Sequence, residues 1–147
     1  MAAPVTYATC ETSDYVGTGG GGTVRRETWK VFSSELVNGT ASVESAISAA
    51  INGIAISEFG FFGVWLKATS VAGAPNVTVT FEQSYDDTAG NYASPATGGI
   101  VVATSVSEAA QVFLIAPVPL PRIRFKVQGI TGNQTDTLVT LYFFQQG

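Results

Sequence analysis

The stretch Phe61-Phe-Gly-Val-Trp-Leu-Lys-Ala-Thr-Ser70, followed after a short loop by Val77-Thr-Val-Thr-Phe-Glu82, decides the fold class. In the first segment Phe62, Val64, Leu66 and Ala68 fall on one face, and Phe61, Trp65, Lys67 and Thr69 on the other. In the second, Val77, Val79 and Phe81 alternate with Thr78, Thr80 and Glu82. Side chains repeating every second residue are the mark of a strand with one buried face. The link Ala72-Gly-Ala-Pro-Asn76 has turn composition.

The same period recurs on both sides. Thr28, Lys30 and Phe32 alternate with Trp29, Val31 and Ser33, and Asn38-Gly39 gives a turn signal. Val43, Ile47, Ala50 and Ile51 fit a helical face capped by Ser42, but Ser45 stands where a capping box wants Glu or Gln. The stretch from Ala41 to Ile51 therefore reads as strand or irregular structure, with a short helix as the alternative. A polar loop, Ser84-Tyr-Asp-Asp-Thr-Ala-Gly-Asn91, precedes the apolar run Gly98-Gly-Ile-Val-Val-Ala103. A second short apolar run, Val112 to Ile115, ends at Pro117, Pro119 and Pro121, which suit a sheet edge or an extended crossing. Ile123, Phe125 and Val127 then face one way, and Arg122, Arg124, Lys126 and Gln128 the other. After the turn-rich segment 129–136, Val139, Leu141 and Phe143 alternate with Leu138, Thr140, Tyr142 and Phe144. Seven or eight short strands with spaced turns predict an all-β chain, a single β-sandwich or jelly-roll-like domain over residues 25–147.

Residues 1–24 read as a Gly-rich N-terminal arm. They are short of large apolar groups, and Gly17-Thr-Gly-Gly-Gly-Gly22 has no side chains to bury. The arm is either a loose terminus or a segment that orders on a neighbouring subunit, with Val5, Tyr7 and Tyr15 as its sticky positions. The glycines are not a phosphate loop, because no Lys-Ser/Thr follows and no strand precedes them.

At 147 residues the chain fits one domain with a real core. Only 12 % of residues are charged against 46 % hydrophobic, about half the usual charged share. Surfaces poor in charge tend to be covered by partners. A net charge of −4 with seven basic residues argues against nucleic acid. The chain has no His, which removes the commonest general base and metal ligand. Cys10 is the single cysteine, so it has no partner within the chain. Met1 to Tyr7 is neither basic nor followed by an apolar core, so no signal peptide is expected. Polar and glycine breaks between Ile51 and Val71 exclude a membrane helix there.

Candidate chemistry is sparse. Without His, neither a Ser-His-Asp set nor a Cys-His pair can form. Asp86 and Asp87 are adjacent, and nothing sets a second carboxyl across a cleft from them. With Asn91 they are candidates for a cation loop, though the spacing suits a plain polar turn better. No enzyme activity, cofactor or metal is therefore expected. Asn38, Asn76 and Asn133 each begin an Asn-X-Thr triplet, a composition effect in a Thr-rich chain lacking a secretory signal. Arg122, Arg124 and Lys126 put three positive charges on one strand face, either a solvated edge or a contact to an acidic subunit surface. Trp65, with Trp29, Tyr85 and Tyr92, are candidates for stacking on sugar, or for core and interface roles. The last strand is apolar on both faces, so Tyr142 and Phe144 are candidate subunit contacts unless a loop or arm of the same chain covers them.

The segment Val64-Trp-Leu-Lys-Ala-Thr-Ser-Val-Ala-Gly-Ala-Pro-Asn-Val-Thr-Val-Thr-Phe-Glu-Gln-Ser-Tyr-Asp86 and the end Pro121-Arg-Ile-Arg-Phe-Lys-Val-Gln-Gly-Ile-Thr-Gly-Asn-Gln-Thr-Asp-Thr-Leu-Val-Thr-Leu-Tyr142 together resemble the small β-sandwich virion proteins of tailed bacteriophages. The resemblance is one of strand and turn pattern over residues 60–147. Among such proteins a head decoration, or cement, protein matches the size and the arm best. It implies attachment to the major capsid protein at the capsid surface, self-association as a homotrimer, synthesis in the host cytoplasm, and no nucleic-acid or membrane partner. It carries no catalytic residues. The stretch 41–51 has no place on the pattern. The rival readings are a carbohydrate- or receptor-binding module of a fibre or adhesin, and a tail or neck subunit.

Overall fold

The structure, a computed structural model, describes residues 5–17, 19–70, 77–94, 102–104, 110–129 and 137–147. The strands are β1 (Val5–Tyr7), β2 (Thr9–Gly17), β3 (Thr23–Val37), β4 (Ser42–Ala46), β5 (Ile54–Ala55), β6 (Phe61–Ser70), β7 (Val77–Ser84), β8 (Val102–Thr104), β9 (Gln111–Ile115), β10 (Arg122–Gly129) and β11 (Thr137–Gln146). They form two sheets. The first has the order β1-β4-β10-β7-β8, with β5 also on β10; the second has the order β2-β3-β11-β6-β9. Apart from the parallel β1–β4 pair, the strands are antiparallel. The chain is an all-β sandwich. The loop expected at 72–76, most of the run 98–103 and the turn segment 130–136 lie outside the described residues.

The inward residues are those the alternation singles out. Val77, Val79 and Phe81 of β7 and Ile123, Phe125 and Val127 of β10 face Val64, Leu66 and Ala68 of β6 and Val139, Leu141 and Phe143 of β11, all buried in one cluster. Phe143 lies at its centre, stacked on Phe62 at 6.1 Å and tilted against Phe125 at 5.2 Å. Such contacts add to plain area burial.

Two departures from the sequence reading have physical causes. First, residues 5–17 are not a free arm. β1 pairs with β4 in the first sheet and β2 with β3 in the second, so the segment ties the two sheets together. Ala8 sits at the crossing and donates its N–H to the Ala46 carbonyl at 2.7 Å. Backbone pairing needs no apolar side chains, which is why composition hid it. The glycine run turns β2 into β3, with Gly19 and Gly21 at φ of 82° and 86°, a region only glycine enters at no steric cost. Second, Phe32 leaves the face of Thr28 and Lys30. The β3–β11 register shifts between Val139 and Tyr142, with Ser34 at φ 50° and its N–H donating to Thr140 Oγ1 at 3.0 Å. Extra residues in a strand break its alternation, so the neighbours Val31 and Phe32 are both buried. The stretch 41–51 keeps its preferred reading: Ser42–Ala46 is the strand β4 and not the helical alternative.

The prolines 117, 119 and 121 carry the chain from β9 in one sheet to β10 in the other. Gln83 holds this crossing. Its amide donates to the Val118 carbonyl at 2.8 Å and accepts from the Val118 N–H at 3.0 Å, imitating the ladder that proline cannot provide.

Candidate interaction surface

The two outer faces of the sandwich differ. On the first sheet, β10 turns Arg122, Arg124 and Lys126 outward, opposite Glu44 of β4 and Glu82 of β7 in the register. β10 is a central strand, so the basic row is not a solvated sheet edge, and Arg124 within it is not free for an acidic partner. Arg124 is 8 % exposed and pairs with Glu82 at 2.9 Å and Glu44 at 3.6 Å. The Tyr92 ring covers its guanidinium at 4.4 Å. Arg122 donates to the Gly53 carbonyl at 3.2 Å.

Asp86 and Asp87 complete this face. The Asp87 carboxylate accepts the N–H groups of Asn52 and Gly53, both at 2.9 Å, and the Tyr92 hydroxyl at 2.8 Å. It thereby joins the loop after β4 to the loop after β7. A side-chain carbon on Gly53 would collide with the Tyr92 hydroxyl, so glycine is required for this close approach. Burial pushes the Asp87 carboxyl up, but the hydrogen bonds from Asn52, Tyr92 and Gly53 and the charge of Arg122 outweigh it, leaving the group below its ordinary value. Burial and the bond to Asp87 hold the Tyr92 hydroxyl well above the ordinary phenol range. Asp86 accepts from the Thr88 N–H at 3.0 Å, the Ser84 hydroxyl at 3.0 Å and the Asn91 amide at 3.1 Å. Both carboxylates are thus spent on donors of their own chain. Among the described residues no three His, Cys, Asp or Glu side chains gather as a metal-binding group.

At one end of the sandwich Glu27 is buried and accepts from Arg25 at 2.8 Å, Trp29 at 3.1 Å and Gln145 at 2.8 Å. Gln145 also donates to the Ala55 carbonyl at 3.1 Å, which links the second sheet to β5 of the first. The Cys10 thiol nearby is pushed up by burial and then by Glu27, the opposite of what activates a nucleophile.

The outer face of the second sheet is built differently. Successive cross-strand rows can be read from the register. One row is Arg26, Gln146 and Phe61; the next is Thr28, Phe144, Gly63 and Leu114; the next is Lys30, Tyr142, Trp65 and Val112. Leu114 is 86 %, Val112 75 % and Phe61 71 % exposed, and Phe144 is partly so. Trp65 and Tyr142 meet edge-on at 5.8 Å. The paired charges of this face lie at its β2–β3 side, Arg26 with Asp14 at 3.1 Å and Lys30 with Glu11 at 3.0 Å, while Lys67 stands on β6.

The expected contact residues therefore separate. Trp65, Tyr142 and Phe144 come together on this face. Tyr15 is exposed on β2 of the same sheet, with β3 and β11 between it and β6, while Val5 and Tyr7 are exposed at the β1 edge of the other sheet. The aromatics considered for sugar scatter: Trp29 binds Glu27, Tyr92 closes the Asp87 clasp, and Tyr85 stands exposed in the loop after β7. Sequence reading missed Phe61, Val112 and Leu114. No helix among the described residues is long and apolar enough to cross a membrane. No protein-family model matches the chain, and no curated protein matches it.

Proposed function

We propose that this protein is a structural part of a virion, a head decoration protein that binds the major capsid protein at the capsid surface and stabilises the shell. The observation that supports it is the contrast just described. Polar groups that could do chemistry are spent on holding the sandwich together, while the outer face of the second sheet presents an apolar strip around Trp65, Tyr142, Phe144 and Leu114. Contiguous exposed apolar patches mark surfaces made to be covered. An assembling subunit needs such a face and no reactive centre. The test is addition of the purified chain to empty shells of the major capsid protein. The protein is expected to sediment with the shells and raise their melting temperature. A protein that stays in the supernatant and leaves shell melting unchanged contradicts the proposal.

A further inference from the structure

We infer that the outer face of the second sheet pairs with the same face of a second copy of this chain, across a two-fold axis. The inference rests on the assembling role proposed above, names the partner of that face, and puts a two-fold pair in place of the homotrimer that the resemblance implies. Three observations carry it.

The first is shape. Gly63 interrupts the apolar rows. It is flanked by Phe144 and Leu114 across the sheet and by Phe61 and Trp65 along the faces of β6. A shallow cleft of about 260 Å³ opens there, bordered by Phe61, Gly63, Leu114 and Phe144 and also by Arg26 and Gln146. Leu114, at 86 % exposed, stands beside it as the most exposed large apolar side chain among the described residues. A hole with a knob next to it is what a two-fold interface requires, since each copy must offer both halves of the contact. Glycine keeps the hole open: a side-chain carbon at position 63 would enter it and also press on the Phe113 carbonyl at 3.2 Å.

The second is size. The five strands of the face hold 9, 15, 10, 10 and 5 residues, and at ~4.8 Å per strand and ~3.4 Å per residue they cover about 800 Å², close to the share each partner contributes to a standard interface. The third is charge. Arg26 and Lys30 are already neutralised by Asp14 and Glu11 of the same face. Lys67 is the charge on β6 outside those pairs, so two like copies meet with little repulsion, and an acidic or basic partner gains nothing.

The experiment is sedimentation equilibrium of the whole chain across a range of concentrations, with Leu114→Arg and Val112→Lys beside the wild type. Both side chains point into solvent, so both variants should keep the wild-type circular dichroism and melting curve, and having two guards against one that misfolds. The wild type should approach twice the chain mass of 15.3 kDa, and folded variants should self-associate at least about tenfold more weakly. A wild type that stays at one chain mass, one that settles at three, or folded variants that pair as the wild type does would overturn the inference. Shell binding separates this from the proposed role. A dimer that ignores shells supports the pairing and sinks the decoration role; a monomer that coats shells does the reverse.

Discussion

The two outer faces of the sandwich start from the same material, antiparallel strands whose inward residues share one core, and end in opposite conditions. On the first sheet the outward charges meet partners of their own chain: Arg124 pairs with Glu44 and Glu82, Arg122 donates to the Gly53 carbonyl, Lys126 stands opposite Glu44 in the register, and the Asp87 clasp joins two loops. On the second sheet the paired charges lie on β2 and β3, Lys67 is the charge on β6, and Phe61, Trp65, Tyr142, Phe144, Val112 and Leu114 make the outer surface of β11, β6 and β9 mostly apolar. One face satisfies its own groups, while the other leaves apolar area in water that a partner can remove. At ~25 cal/mol for each Å², that area is a substantial reserve of association energy.

Substitutions can break this contrast, beginning at the shared core. Phe143→Ala removes the ring packed between Phe62 and Phe125 and should cost about 3–5 kcal/mol. Because that core backs both faces, chemical unfolding should show a single shifted transition and not the loss of one sheet. Arg124→Met acts on the first face alone. It leaves Glu44 and Glu82 near each other and partly buried, and should cost about 2–3 kcal/mol in urea unfolding, with no effect on self-association.

Asp87→Asn sharpens the same point through pH. The folded carboxyl lies below its ordinary value, so its contribution is fully present above the unfolded value of about 4 and is lost as pH falls through the lower folded value. At neutral pH the wild type should exceed the variant by about 1–2 kcal/mol, as expected for hydrogen bonds to a charged group. That gap should close in thermal melts taken progressively below pH 4. A gap that widens in acid contradicts the assignment. On the second face Asp14→Asn breaks an exposed pair in which both side chains are about half in water, and should change stability by less than about 0.5 kcal/mol.

Much of the architecture was legible because four strands pair a strongly apolar inward row with a polar or mixed outward one. Val77, Val79 and Phe81, or Ile123, Phe125 and Val127, identify their faces without any knowledge of neighbours. β2 was illegible for the converse reason: Thr9–Gly17 is mostly polar on both sides and is held by backbone pairing and by the Asp14–Arg26 and Glu11–Lys30 bridges. The role of Arg124 was hidden because Glu82 is 42 residues away, and only the register brings them together.

The interaction surface was half visible. Tyr142 and Phe144 stood out on a final strand apolar on both faces, and Trp65 on the face opposite a clear core row. Leu114 did not, because Val112-Phe-Leu-Ile115 is apolar at every position and reads like a strand covered on both sides. The available signal was that Val112 and Leu114 share one parity and Phe113 and Ile115 the other. Which parity faces the core depends on pairing with Trp65 and Gly63, which no local pattern records.

The lysines allow the contrast itself to be measured. Lys67 lies on the apolar outer face of the second sheet and Lys126 on the charged outer face of the first. Amine labelling of the purified chain, dilute and concentrated, should show Lys67 becoming protected as concentration rises while Lys126 keeps its rate. Equal labelling of Lys67 at every concentration would contradict the claim that this face is built to be covered by a second copy.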